Sequence, residues 1–284
     1  KDWSRGLGDG YKRQPLSSLD NWRSCAQMKP DKKRLDQLMV VRNIAASRER
    51  ARALIAAGNV LVNGLPAAKP GTVVTTQSTI TLKEKDFPYV SRGGLKMEKA
   101  LQTFPLNLED AVCLDIGAST GGFTDCLLQH GARKVYAIDV GYGQLAWKLR
   151  QDARVIAIER TNARNISPDA IPEKVNYVTI DVSFISLRLI VPAILPLMQP
   201  AAGIIALIKP QFEVGKGQVG KGGVVKDSRL HREVISSLRI FFESLSLQYQ
   251  GDVPSPILGP KGNKEFLAFM LKSQPVATDR GFYA

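Results

Sequence analysis

The sequence predicts an α/β protein whose larger part is a mostly parallel, doubly wound sheet, with a small α+β domain before it. Short apolar segments alternate with helical patterns from residue 111 to residue 271, as in sheets built from strand–helix–strand units. A glycine-rich turn at residues 117–122 separates the first of these segments from the next helix. Upstream, an Asn-Gly pair at residues 63–64 between two apolar runs predicts a hairpin.

The composition of the 284-residue chain is basic, with a formal net charge of +13. Such an excess of cations favours a nucleic acid or another anionic surface as the partner. A hydrophobic content of 44% is sufficient for one large core and a smaller one. Cys25, Cys113 and Cys126 make no Cys-x-x-Cys pair, so we expect reduced cysteines in a cytoplasmic protein.

The sequence predicts neither a membrane span nor a metal site. The longest apolar candidate, residues 187–198, is interrupted by Arg188 and two prolines and is far shorter than the ~20 residues that a span requires. The N-terminal residues lack the apolar core of a signal peptide. The chain has only two histidines and no cluster of metal-binding residue types.

The glycine-rich turn predicts a binding site for a nucleotide-like ligand. The apolar run 111–114 predicts a buried strand that ends at Asp115, and residues 123–130 begin a helix. The next apolar segment ends in Asp139, where a carboxylate can accept hydrogen bonds from both hydroxyls of a ribose. Dinucleotide folds hold a pyrophosphate with the pattern Gly-x-Gly-x-x-Gly, and this turn lacks the second of those glycines. A turn without any ligand remains the alternative.

In its form Asp-x-Gly-x-x-x-Gly-Gly, the turn resembles the first motif of S-adenosylmethionine-dependent methyltransferases. The resemblance implies S-adenosyl-L-methionine as the cofactor. Its expected contacts lie in the turn and at the ends of the next three strands: Asp115, Gly117, Ala118, Ser119, Thr120, Gly121, Gly122, Phe123, Asp139, Thr161, Asn162 and Asp181.

Residues 29–85 form a second patterned region. The pattern is helical from Lys32, a second helix begins at Ser47 and ends at Gly58, and short strands follow. Together with the basic excess and the Val-Asn-Gly turn, these features resemble the ribosomal S4-type RNA-binding domain. The resemblance implies contacts to an RNA backbone from Lys33, Arg34, Arg42, Arg48, Arg50 and Arg52.

The composition also predicts the other domain boundaries. Residues 1–28 are expected to be a disordered leader or extension, and residues 275–284 a tail. A linker at 86–95 then joins the small domain to a methyltransferase domain at 96–274.

Charged residues converge on one edge of the predicted sheet. The third strand spans 154–158; the fourth, 175–180, ends in Asp181, and the fifth, 203–208, ends in Lys209. A helix at 229–245 and a strand near 247–250 follow, and 265–271 is the last strand. The resemblance to methyltransferases implies that this last strand is antiparallel beside the fifth. That arrangement places Glu265 at the same edge. Lys96 is expected on a helix just before the first strand.

These four residues resemble the Lys-Asp-Lys-Glu tetrad of FtsJ-like ribose 2′-O-methyltransferases. A ribose 2′-hydroxyl is a poor nucleophile that must lose its proton as it attacks a sulfonium methyl group. We expect Lys209 to assist that loss, with a pKa lowered by partial burial and the second cation. Asp181 is expected to orient Lys209, while Lys96 and Glu265 act as positioning and electrostatic groups.

Other methyl acceptors fit the sequence less well. Methylation of base amines usually uses an Asn/Asp-Pro-Pro-aromatic turn after the fourth strand, and residues 181–184 lack both prolines. Cytosine C5 methylation requires a cysteine nucleophile at the sheet edge. Cys113 and Cys126 are instead expected inside a strand and a helix.

The loop at 210–226 resembles a phosphate-binding loop but has Gly222 where such a loop needs Ser or Thr. We expect it to be a mobile loop that closes on RNA. Its cations and one from the linker complete the expected RNA contacts: Arg92, Lys216 and Lys221.

The combination of an S4-type domain with an FtsJ-like domain resembles the TlyA family, also labelled haemolysin A. Membership would imply 2′-O-methylation of cytidine in ribosomal RNA of the small and large subunits. Two alternatives remain: a non-catalytic RNA-binding or ribosome-assembly factor, and a membrane-active haemolysin.

Overall fold

The computed structural model describes residues 31–45, 47–67, 69–83, 88–215 and 217–274. They form two compact units that divide at residue 86. The expected leader and tail, Cys25 and Lys216 lie outside the described residues. No described helix is long and apolar enough to cross a membrane, and no described group of three or more His, Cys, Asp or Glu residues is arranged to hold a metal ion.

The described part of the N-terminal unit contains two helices and five short strands. The helices are α1 (Leu35–Val41) and α2 (Arg48–Ala56), and the strands are β1 (Lys32–Arg34), β2 (Val60–Val62), β3 (Leu65–Pro66), β4 (Val73–Thr75) and β5 (Ile80–Leu82). Strand β1 pairs with β4, and β3, β2 and β5 form a second antiparallel sheet in that order. Leu35, Met39 and Ala51 are fully buried in the core of this unit.

The helix expected from Lys32 begins three residues later, so that part of the prediction is wrong. Residues 32–34 form β1, in which Lys32 lies opposite Thr75. These residues are all basic and largely exposed, and the buried face of α1 begins only at Leu35. A first helical turn there would bury nothing, whereas pairing with β4 satisfies the backbone.

The hairpin predicted at Asn63 and Gly64 is confirmed. The two residues have φ angles of 51° and 82° and connect Val62 to its partner Leu65. Positive φ at both central positions is what a two-residue hairpin turn with the right twist requires. The Asn63 side chain also accepts a hydrogen bond of 2.8 Å from the backbone N–H of Thr79.

The C-terminal unit is built on a seven-stranded sheet with helices on both faces, which confirms the predicted fold class. Its strands are β6 (Val112–Ile116), β7 (Lys134–Ile138), β8 (Val155–Ile158), β9 (Val175–Ile180), β10 (Met198–Ile208), β11 (Leu247–Pro254) and β12 (Phe266–Lys272). Its helices are α3 (Gly93–Thr103), α4 (Gly122–Gln129), α5 (Trp147–Arg150), α6 (Leu187–Ile194), α7 (Pro210–Glu213) and α8 (Ser228–Ser244).

The strand order is β11-β12-β10-β9-β6-β7-β8. Strands β6 to β10 are mutually parallel, and β12 is antiparallel beside β10, as expected. Strand β11 pairs antiparallel with the other side of β12. Successive residues of β6 face opposite cores, since Leu114 belongs to the core that includes α6 and α8, and Cys113 to the core that includes α3 and α4. Burial on both faces explains why these strands are continuous apolar runs.

Candidate active site

Four ionisable side chains meet at the carboxyl edge of the sheet and form what we call the charged row: Glu265, Lys96, Asp181 and Lys209. The Nζ atom of Lys209 lies 2.5 Å from Oδ1 of Asp181, and the Nζ atom of Lys96 lies 3.7 Å from Oδ2 of the same carboxylate. Lys96 also donates a 2.7 Å hydrogen bond to Oε2 of Glu265. The structure thus brings together all four residues singled out in the sequence, with acids and bases alternating.

Three members of the charged row are almost completely buried. Lys96, Lys209 and Glu265 are 8%, 7% and 2% exposed. Buried charges are costly unless each has a partner of opposite sign, and the alternation supplies one on every side. Asp181 is more open, with 21% of its side chain exposed, so the row reaches solvent at its centre.

Each member follows from the local fold. Asp181 and Lys209 come directly after the neighbouring parallel strands β9 and β10, and Glu265 precedes β12. Lys96 lies in the first turn of α3, beside a close contact in which the Tyr89 ring packs on Gly94. A Cβ on Gly94 would lie 2.2 Å from that ring, so the approach depends on glycine.

Ser183 extends the row, although none of the motifs in the sequence includes it as a site residue. Its hydroxyl accepts a 3.1 Å hydrogen bond from the Nζ atom of Lys209. Lys209 therefore has two fixed acceptors, Asp181 and Ser183. The available signal was a hydroxyl two residues after the acid that ends β9.

A cavity of about 520 Å³, here cavity A, opens beside the glycine-rich turn. Six residues expected to contact the cofactor line it, namely Gly117, Ser119, Asp139, Thr161, Asn162 and Asp181. Most of the remaining wall is aliphatic and includes Ile138, Val182 and Ile190. A mainly apolar cavity with a few convergent polar groups is typical of cofactor sites.

The carboxylate of Asp139 is oriented by backbone donors. Oδ2 accepts a 2.7 Å hydrogen bond from the N–H of Ser119, and Oδ1 accepts one of 2.7 Å from the N–H of Gly141. Since a carboxylate offers about four acceptor positions, lone pairs remain available on the side that faces cavity A. The contact to Ser119 also connects the end of β7 to the turn after β6.

Asp115 lies beneath the turn and does not line cavity A. Its side chain is buried and accepts hydrogen bonds from the N–H and hydroxyl of Thr124 and from the hydroxyl of Thr179. Strand β6 includes Asp115, whereas the strand predicted from the sequence ended before this residue. Burial raises the pKa of this carboxyl to about 6. In the structure Asp115 joins β6, α4 and β9.

The turn itself depends on glycine at two positions. Gly117 has a φ of 82°, and a Cβ there would lie 2.5 Å from the carbonyl oxygen of Asp181. Gly121 has a φ of 95°, and a Cβ there would lie 2.3 Å from the side chain of Leu149. At Gly117 both the positive φ and the backbone contact oppose a side chain, and at Gly121 the positive φ does so.

A second cavity of about 500 Å³, cavity B, lies on the other side of the turn. Predicted residues in its wall are Ala118, Thr120, Gly122, Phe123, Arg92, Lys96 and Lys209. Cavities A and B share four residues, namely Gly117, Ser119, Asp181 and Ser183. Ligands bound in cavities A and B would therefore meet at the open part of the charged row.

Arg34, Arg42 and Arg48, which are predicted to contact RNA, make internal contacts in the N-terminal unit. The buried carboxylate of Asp36 receives hydrogen bonds from Arg34 and Arg48. These guanidinium groups lower the pKa of Asp36 to about 2. Arg42 donates to the carbonyl oxygens of Ser78 and Thr76. Arg34 and Arg48 nevertheless keep 43% and 54% of their side chains exposed.

The other described RNA candidates lie at the surface. Lys33, Arg52, Arg92 and Lys221 are exposed, and Arg50 is half-buried. Lys33, Arg50 and Arg52 belong to the N-terminal unit, and Arg92 and Lys221 belong to the C-terminal unit. The RNA candidates are therefore divided between the two units.

The two described cysteines are unsuited to nucleophilic catalysis. Cys113 and Cys126 are buried and unpaired, and burial raises the pKa of each thiol to about 12. Both are therefore protonated near neutral pH. Neither lines cavity A or cavity B.

Comparison with family models divides the chain as the structure does. Residues 89–272 match the model of the FtsJ-like methyltransferases, and residues 33–80 match the model of the S4 domain. These matches correspond to the C-terminal and N-terminal units.

Close relatives extend over most of the chain. It is 46% identical over 252 residues to the 16S/23S rRNA (cytidine-2′-O)-methyltransferase TlyA of Mycobacterium tuberculosis, covering 88% of this chain and 92% of the relative. It is 41% identical over 239 residues to Hemolysin A of Brachyspira hyodysenteriae, covering 84% and 99%. A solved structure from Streptococcus thermophilus, described as a "putative hemolysin", is 44% identical with a TM-score of 0.68 and covers 86% and 90%.

Proposed function

The chain belongs to the FtsJ-like methyltransferase family and carries an S4 domain, and on that premise we propose that it transfers the methyl group of S-adenosyl-L-methionine to the 2′-hydroxyl of cytidine in ribosomal RNA. The observation that carries the proposal is the charged row at the junction of two cavities. One cavity suits the cofactor and the other suits a nucleotide. The names of the TlyA relatives support the choice of cytidine and of ribosomal RNA.

Cavity A is the proposed cofactor site. Asp139 would accept hydrogen bonds from the ribose hydroxyls, and the segment Thr161–Asn162 would border the adenine. The amino-acid part would lie against the turn at Gly117, where no Cβ obstructs the approach. When bound, S-adenosylmethionine supplies a methyl group on a positively charged sulfur.

The charged row would activate the hydroxyl in cavity B. Attack by the 2′-oxygen would form the new carbon–oxygen bond and break the sulfur–carbon bond, whose electron pair would stay on the sulfur. The hydroxyl proton would pass to solvent, which reaches the row at Asp181. Lys209 would contact this oxygen and stabilise negative charge that develops on it. Asp181 and Ser183 fix the position of Nζ, so little reorganisation is needed during the reaction.

Lys96 and Glu265 would act as positioning groups. Lys96 lies within hydrogen-bonding distance of Glu265 and faces the second oxygen of Asp181. It therefore neutralises part of the charge of the carboxylate that holds Lys209. Removal of Lys96 would leave the buried carboxylate of Glu265 without its partner in the row, and removal of Glu265 would leave Lys96 with Asp181 alone.

The proposed RNA contacts come from both units. The S4 domain supports binding to structured RNA, with Lys33, Arg34, Arg42, Arg48, Arg50 and Arg52 as the candidate cations. Arg92 and Lys221 would supplement them near cavity B and in the 210–226 loop. We propose targets in both ribosomal subunits, and a cytoplasmic location that agrees with the unpaired described cysteines.

Mass spectrometry of ribosomal RNA nucleosides tests the function directly. Purified protein is incubated with S-adenosylmethionine and with unmodified 30S subunits, 50S subunits or free ribosomal RNA. The expected product is 2′-O-methylcytidine, in which the added mass stays with the ribose after glycosidic cleavage. A methyl group on the base would contradict the proposed acceptor, and tight RNA binding without any product would favour the assembly-factor alternative.

A further inference from the structure

We propose that Gly259 is a positioning residue for the reaction, because its missing side chain leaves the space in which the carboxylate of Glu265 is held against Lys96. The inference rests on the proposed function. Gly259 lies in the connection between β11 and β12 and lines cavity B. None of the motif resemblances includes it.

The backbone of Gly259 does not require glycine. Its φ of −72° and ψ of −177° belong to the extended region that any residue adopts. The next residue, Pro260, favours the same region for its predecessor. Alanine could therefore take the same backbone conformation, and any need for glycine concerns space alone.

That space is occupied by Glu265. A Cβ built on Gly259 would lie 2.0 Å from Oε1, 2.5 Å from Cδ and 3.2 Å from Cγ of the glutamate. The first two distances are shorter than any real non-bonded contact of a Cβ. The hydrogen of Gly259 that points in this direction therefore faces Oε1, which is buried and has no hydrogen-bond partner.

The two backbones are fixed, so neither can move aside at low cost. The N–H of Gly259 donates to the carbonyl of Asn263, and its carbonyl accepts from Gly262. The buried Asn263 side chain is in turn bonded to the backbone of Gly223 and Val225. The carbonyl of Glu265 accepts a 2.9 Å hydrogen bond from Ser255.

A methyl group at position 259 would therefore push the carboxylate rather than the chain. The displaced group is the one whose other oxygen, Oε2, holds Lys96 at 2.7 Å. Without that partner, Lys96 has only Asp181 in the charged row, and it then competes with Lys209 for the same carboxylate. The effect of the methyl group thus reaches Lys209 through three successive ion pairs: Glu265–Lys96, Lys96–Asp181 and Asp181–Lys209.

The test is a double-mutant cycle in methyl transfer with Gly259→Ala, Glu265→Ala and the double variant. We expect Gly259→Ala to lower kcat by on the order of 100-fold, while the dissociation constant for S-adenosylmethionine stays unchanged because Gly259 does not line cavity A. In the Glu265→Ala background the same methyl group has no carboxylate to displace. There, Gly259→Ala is expected to cost little further activity.

The cycle separates this role from simple obstruction of cavity B. If the methyl group added by Gly259→Ala blocked the RNA, its cost would be the same with and without the Glu265 side chain, and that additive result would overturn the inference. Wild-type kcat in Gly259→Ala would overturn it as well. The thermal midpoint of each variant shows whether a loss of activity reflects unfolding.

A crystal structure of Gly259→Ala supplies a measurement independent of activity. The distance from Lys96 Nζ to Glu265 Oε2 is expected to exceed hydrogen-bonding range. An unchanged distance contradicts the positioning role even if the variant is inactive. If the wild-type protein fails to methylate ribosomal RNA, the proposed function fails, while this distance still decides the geometric part of the inference.

Discussion

The Nζ atom of Lys209 lies 2.5 Å from Oδ1 of Asp181, and this ion pair is the centre of the proposed chemistry. Both groups come directly after parallel neighbouring strands, so the sheet itself sets their separation. The carboxylate is shared with Lys96, which lies 3.7 Å from its second oxygen. Any change to one member of the row therefore alters the charge balance of the other three.

Lys209→Ala is expected to abolish methyl transfer while cofactor and RNA binding remain. We expect kcat to fall at least about 100-fold, since the variant removes the cation proposed to contact the 2′-oxygen. Binding is expected to persist because Asp139 and the turn hold the cofactor, and cations elsewhere hold the RNA. Single-turnover methylation and calorimetric titration with S-adenosylmethionine measure the two effects. Undiminished methylation would exclude the proposed role of Lys209.

Ser183→Ala is expected to lower kcat about tenfold, the equivalent of one lost hydrogen bond of ordinary strength. The hydroxyl is the second acceptor of Lys209, at 3.1 Å, so its removal leaves Nζ with greater freedom. Ser183→Thr retains a hydroxyl and serves as the matched control. Equal losses in both variants would point to the shape of the cavity junction rather than to the hydrogen bond.

Asp181 and Lys209 were predictable because each follows an apolar strand of the alternating pattern, whereas Lys96 and Glu265 were identified through the resemblance to the FtsJ-like tetrad. What the sequence did not reveal depends on partners far away along the chain. Asp115 looks like the end of a strand beside the glycine-rich turn, and nothing local shows that Thr179 will donate to it. Residues 32–34 looked like the start of a helix for the same reason, since their partner strand lies at 73–75.

Hydrogen-bonding roles of arginines were equally hidden. Arg34, Arg42 and Arg48 lie in a basic segment that predicts RNA contacts, yet each also bonds within its own unit. The sequence shows the charge of a side chain but not whether a buried carboxylate such as Asp36 lies within its reach. An alanine scan of these residues therefore has to separate folding from RNA binding.

Asp139→Ala is expected to weaken S-adenosylmethionine binding by about 10-fold to 100-fold, the usual cost of losing one or two hydrogen bonds to a charged group. The variant removes the proposed acceptor for the ribose hydroxyls and also releases the N–H groups of Ser119 and Gly141. At saturating cofactor, kcat is expected to stay near the wild-type value. Asp139→Asn keeps one acceptor oxygen and should give an intermediate dissociation constant. An unchanged constant in both variants would remove Asp139 from the cofactor site.

Asp115 gives a prediction about the pH dependence of stability. Its pKa of about 6 in the folded protein exceeds the ordinary value of 3.8, because burial disfavours the charged form. The folded state therefore binds the proton more tightly than the unfolded state does. By linkage, the titration of Asp115 lowers the free energy of unfolding as the pH rises from about 4 to about 6. Above that range this group causes no further change in the free energy of unfolding.

Asp115→Asn is expected to remove this contribution, because an amide resembles the neutral carboxyl at every pH. Its oxygen can accept from Thr124, and its NH₂ group can donate to the hydroxyl of Thr179, which turns to accept. Urea unfolding at about pH 4.5 and about pH 7 measures the difference in the free energy of unfolding between variant and wild type. Relative to the wild type, the variant should gain stability on going to pH 7. It should also retain cofactor binding, since Asp115 lines neither cavity. A relative loss of stability at pH 7 would mean that the charged carboxylate is the form that holds β6, α4 and β9 together.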